Sequence, residues 1–213
     1  MIPANDQASF AGFGPGAEAS NEQVEVKSRE LLAQLTLDEK LAMMDGDVPF
    51  WAGLVEMMGG GYADHPWDAG VISRLGIPGI RFVDGPRGVV MAGATTFPVS
   101  MARGAAWDVA LEERIGDVIG RELRALGGTL FGGVCINLLR HPAWGRAQET
   151  YGEDPYHLGE MGAALTRGVQ HHAMACAKPV FDTSMRNGLF VCKNHASDVL
   201  LTCHLSRRRK CCW

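Results

Sequence analysis

Residues 77–88 have the sequence Ile-Pro-Gly-Ile-Arg-Phe-Val-Asp-Gly-Pro-Arg-Gly, and this stretch decides the fold. Its first seven residues predict a short strand, and the turn Asp84-Gly85-Pro86 ends that strand. The strand therefore carries a carboxylate directly at its carboxyl end. The neighbouring elements can be placed outward from it in both directions.

Downstream of this strand, helical and strand patterns alternate. The sequence predicts an amphipathic helix over 108–126, a glycine-rich strand and its exit loop over 130–139, a helix over 155–170 and a small apolar strand over 173–177. Sequential strands separated by helices predict parallel strands with right-handed crossovers, and hence an α/β fold. Periodicity leaves a barrel and an open sheet both possible.

Upstream of the strand, the pattern is helical and then irregular. Apolar residues at helical spacing predict a helix over 22–44, in which Thr36 and Glu39 form a capping box that starts a second segment. The glycines, tryptophans and proline of 50–70 predict an irregular loop. The resulting organisation is a flexible lead over 1–21, a domain over 22–178 and an atypical tail over 179–213.

The tail differs in composition from the rest of the chain. Residues 179–213 hold six Lys and Arg against two Asp and Glu, a charge of +4 that leaves −8 for residues 1–178. No helical or strand period persists there, so the tail is expected to be irregular. A zinc site or a phosphate contact is an alternative for its cysteines, histidines and basic run. Regular knuckle spacing is absent, so we predict neither a metal nor a cofactor.

The overall composition limits the classes of partner. The chain has 213 residues, 46% of them hydrophobic, and a formal charge of −4. These values predict a soluble globular protein with neither a nucleic-acid nor a membrane partner, and they say nothing about oligomeric state. The first twenty residues lack the basic and apolar regions of a signal peptide, so a cytoplasmic location is expected. Without a secretory signal, the six cysteines predict no disulfide framework.

Charged and polar residues follow each predicted strand of the domain. Asp84 and Arg87 follow the first strand, and Lys178 follows the third. The loop after the second strand contains three further polar residues, Asn137, Arg140 and Arg146. In parallel α/β folds, functional groups gather at the carboxyl ends of the strands, so these side chains are candidates for one polar pocket.

Structural roles remain possible for several of these residues. Asp84 can accept hydrogen bonds from ligand hydroxyls, or it can bond its own backbone in an Asx turn. Arg140 and Arg146 can each offer forked donors to hydroxyls, or either can pair with a nearby carboxylate (Glu149, Glu153 or Asp154). His171 and His172 close a helix, where its C-terminal dipole accounts for them.

Several motifs together resemble glycoside hydrolase family 3. The segment 35–41 resembles the family's opening helix, 76–88 its first barrel strand and substrate loop, and 137–155 its second-strand loop. Phe97-Pro98 and Ala105-Ala106-Trp107-Asp108 are similar to the start of the next helix. The chain is identified as the family's N-terminal catalytic domain over roughly 29–178. This resemblance implies roughly the first three β/α units of a (β/α)8 barrel.

The resemblance also implies an activity and a set of substrate-binding residues. Intact members are β-glucosidase-like enzymes that hydrolyse O-glycosyl bonds with retention of configuration. Asp84 would bind hydroxyls in the −1 sugar subsite, Arg146 would contact the same sugar, and Lys178 would be the first member of a Lys-His pair. Arg140 is a further substrate-binding candidate. The expected ligand is a β-linked glucoside or a related sugar.

The sequence departs from the family after the third strand. Pro179 follows Lys178 in place of the expected histidine. Asp198 comes too soon after Lys178 to be the family's nucleophile, since a βαβ unit needs about 30 residues. The acid/base would come from a second domain. No catalytic residue is therefore predicted, and the chain is expected to be truncated and inactive by itself. A non-catalytic or vestigial sugar-binding protein is the alternative.

Overall fold

The computed structural model describes residues 20–178 in full and the backbone of two strands, 182–186 and 189–193. Helices and parallel strands alternate over residues 77–178, which confirms the α/β class. The described residues form two compact units. The first comprises residues 20–57 and 67–81, and the second comprises residues 58–66 and those from 82 onward.

The first unit contains three helices and the start of the sheet. Helix α1 is Asn21–Gln34, α2 is Leu37–Ala42 and α3 is Phe50–Met58, while β1 is Trp67–Ile72 and β2 is Ile77–Val83. The capping box predicted at Thr36 and Glu39 is confirmed, because each side chain bonds the other residue's backbone N–H. A small core of four buried apolar side chains holds this unit together: Leu31, Leu35, Ile72 and Leu75.

The prediction of an irregular loop over 50–70 is wrong. The structure places α3 and the first residues of β1 within that range. Every residue of α3 except Glu56 is apolar or glycine, so no broad polar face marks it as a surface helix in the sequence. Strand β1 was missed because Gly70 interrupts its apolar pattern. That glycine has a φ of 76°, a backbone conformation that side chains disfavour.

The second unit carries the predicted alternation of helices and strands. It contains α4 (Ser100–Gly104), α5 (Val109–Ala125), β3 (Leu130–Cys135), α6 (Pro155–Gln170) and β4 (Met174–Lys178). The strand order is β1-β2-β3-β4. Strand β3 pairs in parallel with the end of β2 and with β4, so the predicted parallel strands are confirmed. The short helix α4 had no counterpart in the sequence prediction.

Both long helices of the second unit begin as their sequences predict. The carboxylate of Asp108 accepts a hydrogen bond from the N–H of Leu111 at 2.8 Å, and α5 follows. Asp154 does the same for the N–H of His157 at 2.7 Å, with Pro155 in the first turn of α6. These caps satisfy backbone donors that have no partner inside the helix.

The core of the second unit lies between the sheet and the pair α5 and α6. Its fully buried side chains come from both helices and from β3, and they are Ile119, Leu123, Phe131, Val134, Leu165 and Val169. Glycines bring the two helices unusually close. A Cβ on Gly168 would lie 2.1 Å from the carbonyl oxygen of Glu113, and one on Gly116 would lie 2.5 Å from that of Leu165. The helices therefore touch through their backbones.

Two further strands lie in the tail. Strand β5 (Asp182–Arg186) pairs with β6 (Leu189–Lys193) in antiparallel register. The expectation of a wholly irregular tail is wrong for these ten residues. The sequence between the strands is Asn187-Gly188, the dipeptide most typical of a two-residue hairpin connection, and this signal was overlooked. The cysteines and histidines considered for zinc lie outside the residues whose side chains are described.

The sheet of residues 67–178 is open, with β1 and β4 at its edges. Among the described helices, none has both the length and the apolar character needed to cross a membrane.

The glycine contact between α5 and α6 makes a stability prediction. Replacing Gly168 by alanine should lower the free energy of unfolding by about 1–3 kcal/mol, because the added methyl group meets backbone atoms that cannot rotate away. Urea denaturation followed by circular dichroism measures this change.

Gly53 of α3 provides the matched control. A Cβ there would meet no atom closer than 3.4 Å, so Gly53→Ala should raise helix stability by about 0.5–1 kcal/mol. Equal effects of the two substitutions would contradict the close backbone contact.

Candidate functional site

Asp84 stands directly after β2, in a loop that two glycines shape. A Cβ on Gly85 would lie 1.7 Å from the carbonyl oxygen of Gly88, and Gly85 has a φ of 141°. A Cβ on Gly133 of β3 would lie 2.1 Å from the carbonyl oxygen of Gly85. The loop thus folds tightly on itself and against β3, which only glycine permits. This packing fixes the backbone that carries Asp84.

The carboxylate of Asp84 accepts hydrogen bonds from three groups. Its Oδ1 accepts from the N–H of Gly85 at 2.9 Å and from the Nζ of Lys178. Its Oδ2 accepts from the hydroxyl of Tyr62 at 2.9 Å. Asp84 thus makes one local contact, with the next backbone N–H, and two long-range contacts. The Asx turn considered from the sequence does not form, because residue 86 is a proline and has no N–H to donate.

Lys178 reaches Asp84 because the strands are parallel. Residue 178 ends β4, and in the register it lies opposite Cys135, the last residue of β3. The carboxyl ends of β2, β3 and β4 consequently meet at one edge of the sheet. The side chains of Asp84 and Lys178 are each about one quarter exposed, at 24% and 25%. The structure thus brings together two of the four predicted substrate-binding residues.

The surroundings keep Asp84 ionised. Burial by itself raises the pKa of its carboxyl group, but the hydrogen bond and positive charge of Lys178 outweigh burial, helped by Gly85 and Tyr62. The pKa therefore lies below the usual 3.8. Tyr62 responds in the opposite sense, since burial and the nearby Asp84 charge raise its pKa to about 12. Tyr62 thus remains a neutral donor at physiological pH.

Arg146 lies on the loop after β3 and pairs with Glu149. Its Nε donates to Oε1 at 2.8 Å and its terminal nitrogen to Oε2 at 2.5 Å. The hydrogen bond that Arg146 donates to Glu149 is the main cause of the raised pKa of Arg146, and the charge of Asp84 contributes in the same direction. Arg146 therefore interacts electrostatically with Asp84 while its fork is held by Glu149. Its side chain is half exposed, at 52%.

The other polar residues of this loop have different positions. Arg140 is exposed, close to the point where the N–H of Leu139 bonds the carbonyl oxygen of Gly152. Asn137 is buried, and its carbonyl oxygen accepts a hydrogen bond from the hydroxyl of Thr150. The substrate-binding role of Arg140 stays a prediction.

Sequence reasoning did not identify Tyr62 and Cys135 as part of this site. Tyr62 lies in the stretch predicted as irregular, where no motif singles it out. Cys135 ends β3, with its Sγ 3.7 Å from Oε2 of Glu149. Burial raises the pKa of this thiol to about 12, so the thiol is protonated and uncharged where it borders the site. The position of Cys135 at a strand end was the available signal.

A buried ion pair supports both loops of the site. The Nε of Arg103 on α4 donates to both carboxylate oxygens of Glu112 on α5, at 3.1 and 3.0 Å. The same guanidinium donates to the carbonyl oxygens of Pro86 at 3.1 Å and Pro98 at 2.7 Å. The hydroxyl of Tyr151 donates to Glu112 at 2.6 Å. Pro86 belongs to the Asp84 loop and Tyr151 to the loop after β3, so one cluster anchors both.

Breaking this cluster should destabilise the chain strongly. Glu112→Gln should lower the free energy of unfolding by about 3–5 kcal/mol, because it leaves the guanidinium of Arg103 buried without a counter-charge. Urea denaturation measures the loss. Glu113→Gln is the control: that neighbour forms an exposed pair with Arg167, worth roughly 0–1 kcal/mol. Equal losses for the two variants would contradict the supporting role of the cluster.

The lowered pKa of Asp84 predicts how its contribution to stability depends on pH. Because the folded pKa lies below the unfolded value of about 3.9, the contribution is complete above that value and is lost as pH falls through the folded pKa. The melting temperature of the wild type minus that of Asp84→Asn should therefore be constant above about pH 5 and decrease as the pH falls below about 4. A difference independent of pH would show that Asp84 is not held ionised by its partners.

Comparison with known proteins shows which family the chain resembles. The glycosyl hydrolase family 3 N terminal domain matches residues 68–184. Beta-D-xylosidase 1 of Arabidopsis thaliana is 34% identical over 80% of this chain and 23% of its own length. Thermostable beta-glucosidase B of Acetivibrio thermocellus is 30% identical over 72% of this chain and 20% of its own length.

The solved structures agree with the sequence comparison. Beta-glucosidase 3B from Thermotoga neapolitana, in complex with α-D-glucose, superposes with a TM-score of 0.65 at 29% identity. That match covers 74% of this chain and 23% of the other. The chain thus spans about a quarter of the length of these relatives. The family domain matches more than half of the residues of this chain. The chain therefore belongs to glycoside hydrolase family 3.

Proposed function

We propose that the second unit provides part of the −1 sugar subsite of a β-glucosidase-like or β-xylosidase-like glycoside hydrolase. The observation that carries this proposal is the ionised Asp84 carboxylate beside Lys178 at the carboxyl ends of parallel strands. An ionised carboxylate accepts hydrogen bonds from neighbouring sugar hydroxyls, and a lysine donates to them. Relatives that act on glucosides and xylosides support the choice of ligand class.

The hydrogen-bonding capacity of Asp84 suits a hydroxylated ligand. A carboxylate offers about four lone-pair sites. In the described part of the chain, Gly85 and Lys178 donate to Oδ1 and Tyr62 donates to Oδ2. One hydroxyl fits at Oδ2 beside Tyr62, and a second fits if the tyrosine moves aside. Two neighbouring hydroxyls of one sugar would thus replace a protein donor with a ligand donor.

In this proposal Arg146 also donates hydrogen bonds to the sugar. Glu149 holds its guanidinium on one side, which leaves further N–H donors of the half-exposed fork for a sugar hydroxyl. The supporting carboxylate fixes the orientation of the arginine. Arg140, on the outer part of the same loop, would contact the ligand only at the mouth of the pocket.

We further propose that the described elements are part of a (β/α)8 barrel within a domain over 22–178. Three parallel strands with intervening helices have their polar residues at the carboxyl ends, as in such barrels. Strand β1 precedes this series as an additional edge strand. In a complete barrel, further strands would cover the edge that β4 leaves open.

The proposed chemistry of this chain is limited to binding the sugar. In retaining glycosidases a nucleophilic carboxylate and an acid/base stand about 5–5.5 Å apart. By family resemblance, neither corresponds to a residue of this chain. Its residues would bind and orient the sugar without cleaving the bond. The chain would therefore bind a monosaccharide but turn over no glycoside.

Sugar binding by the purified chain tests the proposed subsite. Isothermal titration with D-glucose and D-xylose should show saturable binding, and Asp84→Asn should weaken it at least roughly tenfold, a loss of about 1.4 kcal/mol. Glu160→Gln on the exposed face of α6 is the matched control and should bind like the wild type. Equal affinity of the Asp84→Asn variant and the wild type would refute the proposed role of Asp84.

Activity is tested separately with an aryl β-glucoside and an aryl β-xyloside. We expect no release of the aryl alcohol above the uncatalysed rate. Turnover that purifies with the wild-type chain and falls in Asp84→Asn would overturn the proposed inactivity. Binding without turnover favours the non-catalytic alternative.

A further inference from the structure

A second cluster of polar side chains lies away from the candidate sugar site. Asp117 is on α5, and His171 and His172 follow the last residue of α6. Helix α6 leads directly into β4, so the two histidines stand near the amino-terminal ends of the strands. Asp84 and Lys178 stand at the carboxyl-terminal ends. The cluster thus lies near the amino ends of the strands, away from the candidate sugar site at their carboxyl ends.

The three side chains converge on one point. The Nε2 of His172 is 2.7 Å from Oδ1 of Asp117, and the Nδ1 of His171 is 3.3 Å from the same oxygen. One ligand atom from each residue lies within 4.8 Å of the other two. Asp117 and His172 are about one quarter exposed, while the His171 side chain is 57% exposed. The cluster is therefore preformed but open to solvent on one side.

The close packing of α5 and α6 holds this geometry. A Cβ on Gly168 would lie 2.6 Å from the backbone nitrogen of Asp117, and one on Gly120 would lie 3.1 Å from Cδ2 of His172. The two helices cannot separate or slide here without losing contacts that depend on glycine. The backbone of Asp117 and the ring of His172 are consequently held close together by the packing of the two helices.

We propose that Asp117, His171 and His172 form a binding site for a divalent transition-metal ion, of which Zn²⁺ is the best fit. Two imidazole nitrogens and one carboxylate oxygen form a zinc donor set, with bonds of about 2.0–2.2 Å. At these bond lengths, tetrahedral ligand atoms lie about 3.3–3.5 Å apart. The His171 to Asp117 distance already matches, and Nε2 of His172 must move about half an ångström away from Oδ1. The two imidazole nitrogens, which lie within 4.8 Å of each other, must take up the same spacing of about 3.3–3.5 Å.

The surroundings of the cluster suit a cation with an open coordination position. The C-terminus of α6 places partial negative charge beside the histidines, which favours a positive ion. Arg121 pairs with Oδ2 of Asp117, so that Oδ1 remains directed at the imidazoles. Water would complete the coordination on the exposed side. Because two of the three donors are imidazoles, the site does not suit Ca²⁺ or Mg²⁺, which take oxygen ligands.

The test is titration of the chelator-treated full chain with Zn²⁺, and separately with Mg²⁺. We expect one equivalent of Zn²⁺ to bind at this site and Mg²⁺ not to bind. Asp117→Asn and His172→Gln should each weaken Zn²⁺ binding at least roughly tenfold. Glu113→Gln, one turn earlier on α5 and also paired across to α6, is the matched control and should bind normally.

The tail cysteines are the competing source of zinc ligands, and Co²⁺ distinguishes the two. Cobalt bound by nitrogen and oxygen ligands gives visible bands without the thiolate charge-transfer absorption that cysteine ligands produce. In the wild-type chain, one equivalent of Zn²⁺ should also shift the ring signals of two histidines in ¹H–¹⁵N spectra, a readout that needs no variant. Thiolate absorption, unperturbed histidine rings, or equal Zn²⁺ affinity in Asp117→Asn would overturn the proposal.

Discussion

The buried ion pair between Arg103 and Glu112 is the interaction on which the site depends. Its members are almost fully buried, at 3% and 0% exposure, so each charge requires the other. The hydrogen bonds that complete the pair reach the carbonyl oxygen of Pro86 and the hydroxyl of Tyr151. One ionic contact in the interior therefore ties two surface loops to the helices. Burial raises the pKa of Tyr151 well above its ordinary value, so its hydroxyl keeps the proton that it donates.

At the carboxyl ends of the strands, the Asp84 loop and the end of β4 carry a second, more exposed ionic pair. Asp84 and Lys178 are partly exposed, so water or a ligand can exchange for their present partners. The buried pair of Arg103 and Glu112 cannot exchange its partners for water, whereas the partly exposed pair of Asp84 and Lys178 can. This contrast in burial distinguishes the supporting pair from the pair at the candidate sugar site. Zinc coordination at Asp117, His171 and His172 would use a third arrangement, in which helix contacts through glycine, rather than buried charge, fix the spacing.

Much of the second unit could be predicted from local patterns. Asp108 and Asp154 mark the starts of α5 and α6 because a carboxylate before an apolar period satisfies free backbone N–H groups. Strand ends with polar residues indicated which edge of the sheet carries the site. Helix α3 and strand β1 could not be predicted in this way, since one lacks a broad polar face and a glycine with positive φ interrupts the other. Tyr62 had no local signal at all.

By itself, the sequence determined the α/β class, the order of helices and strands, and the motifs that place the chain in glycoside hydrolase family 3. Only the tertiary structure decided which side chains meet. Lys178 and Asp84 are 94 residues apart and come together through the register of parallel strands. Of the two roles that the sequence left open for Arg146, the structure shows the pairing with a carboxylate, that of Glu149. Periodicity and capping act over a few residues, whereas these contacts depend on how distant backbones pack, and close approach at glycines fixes that packing.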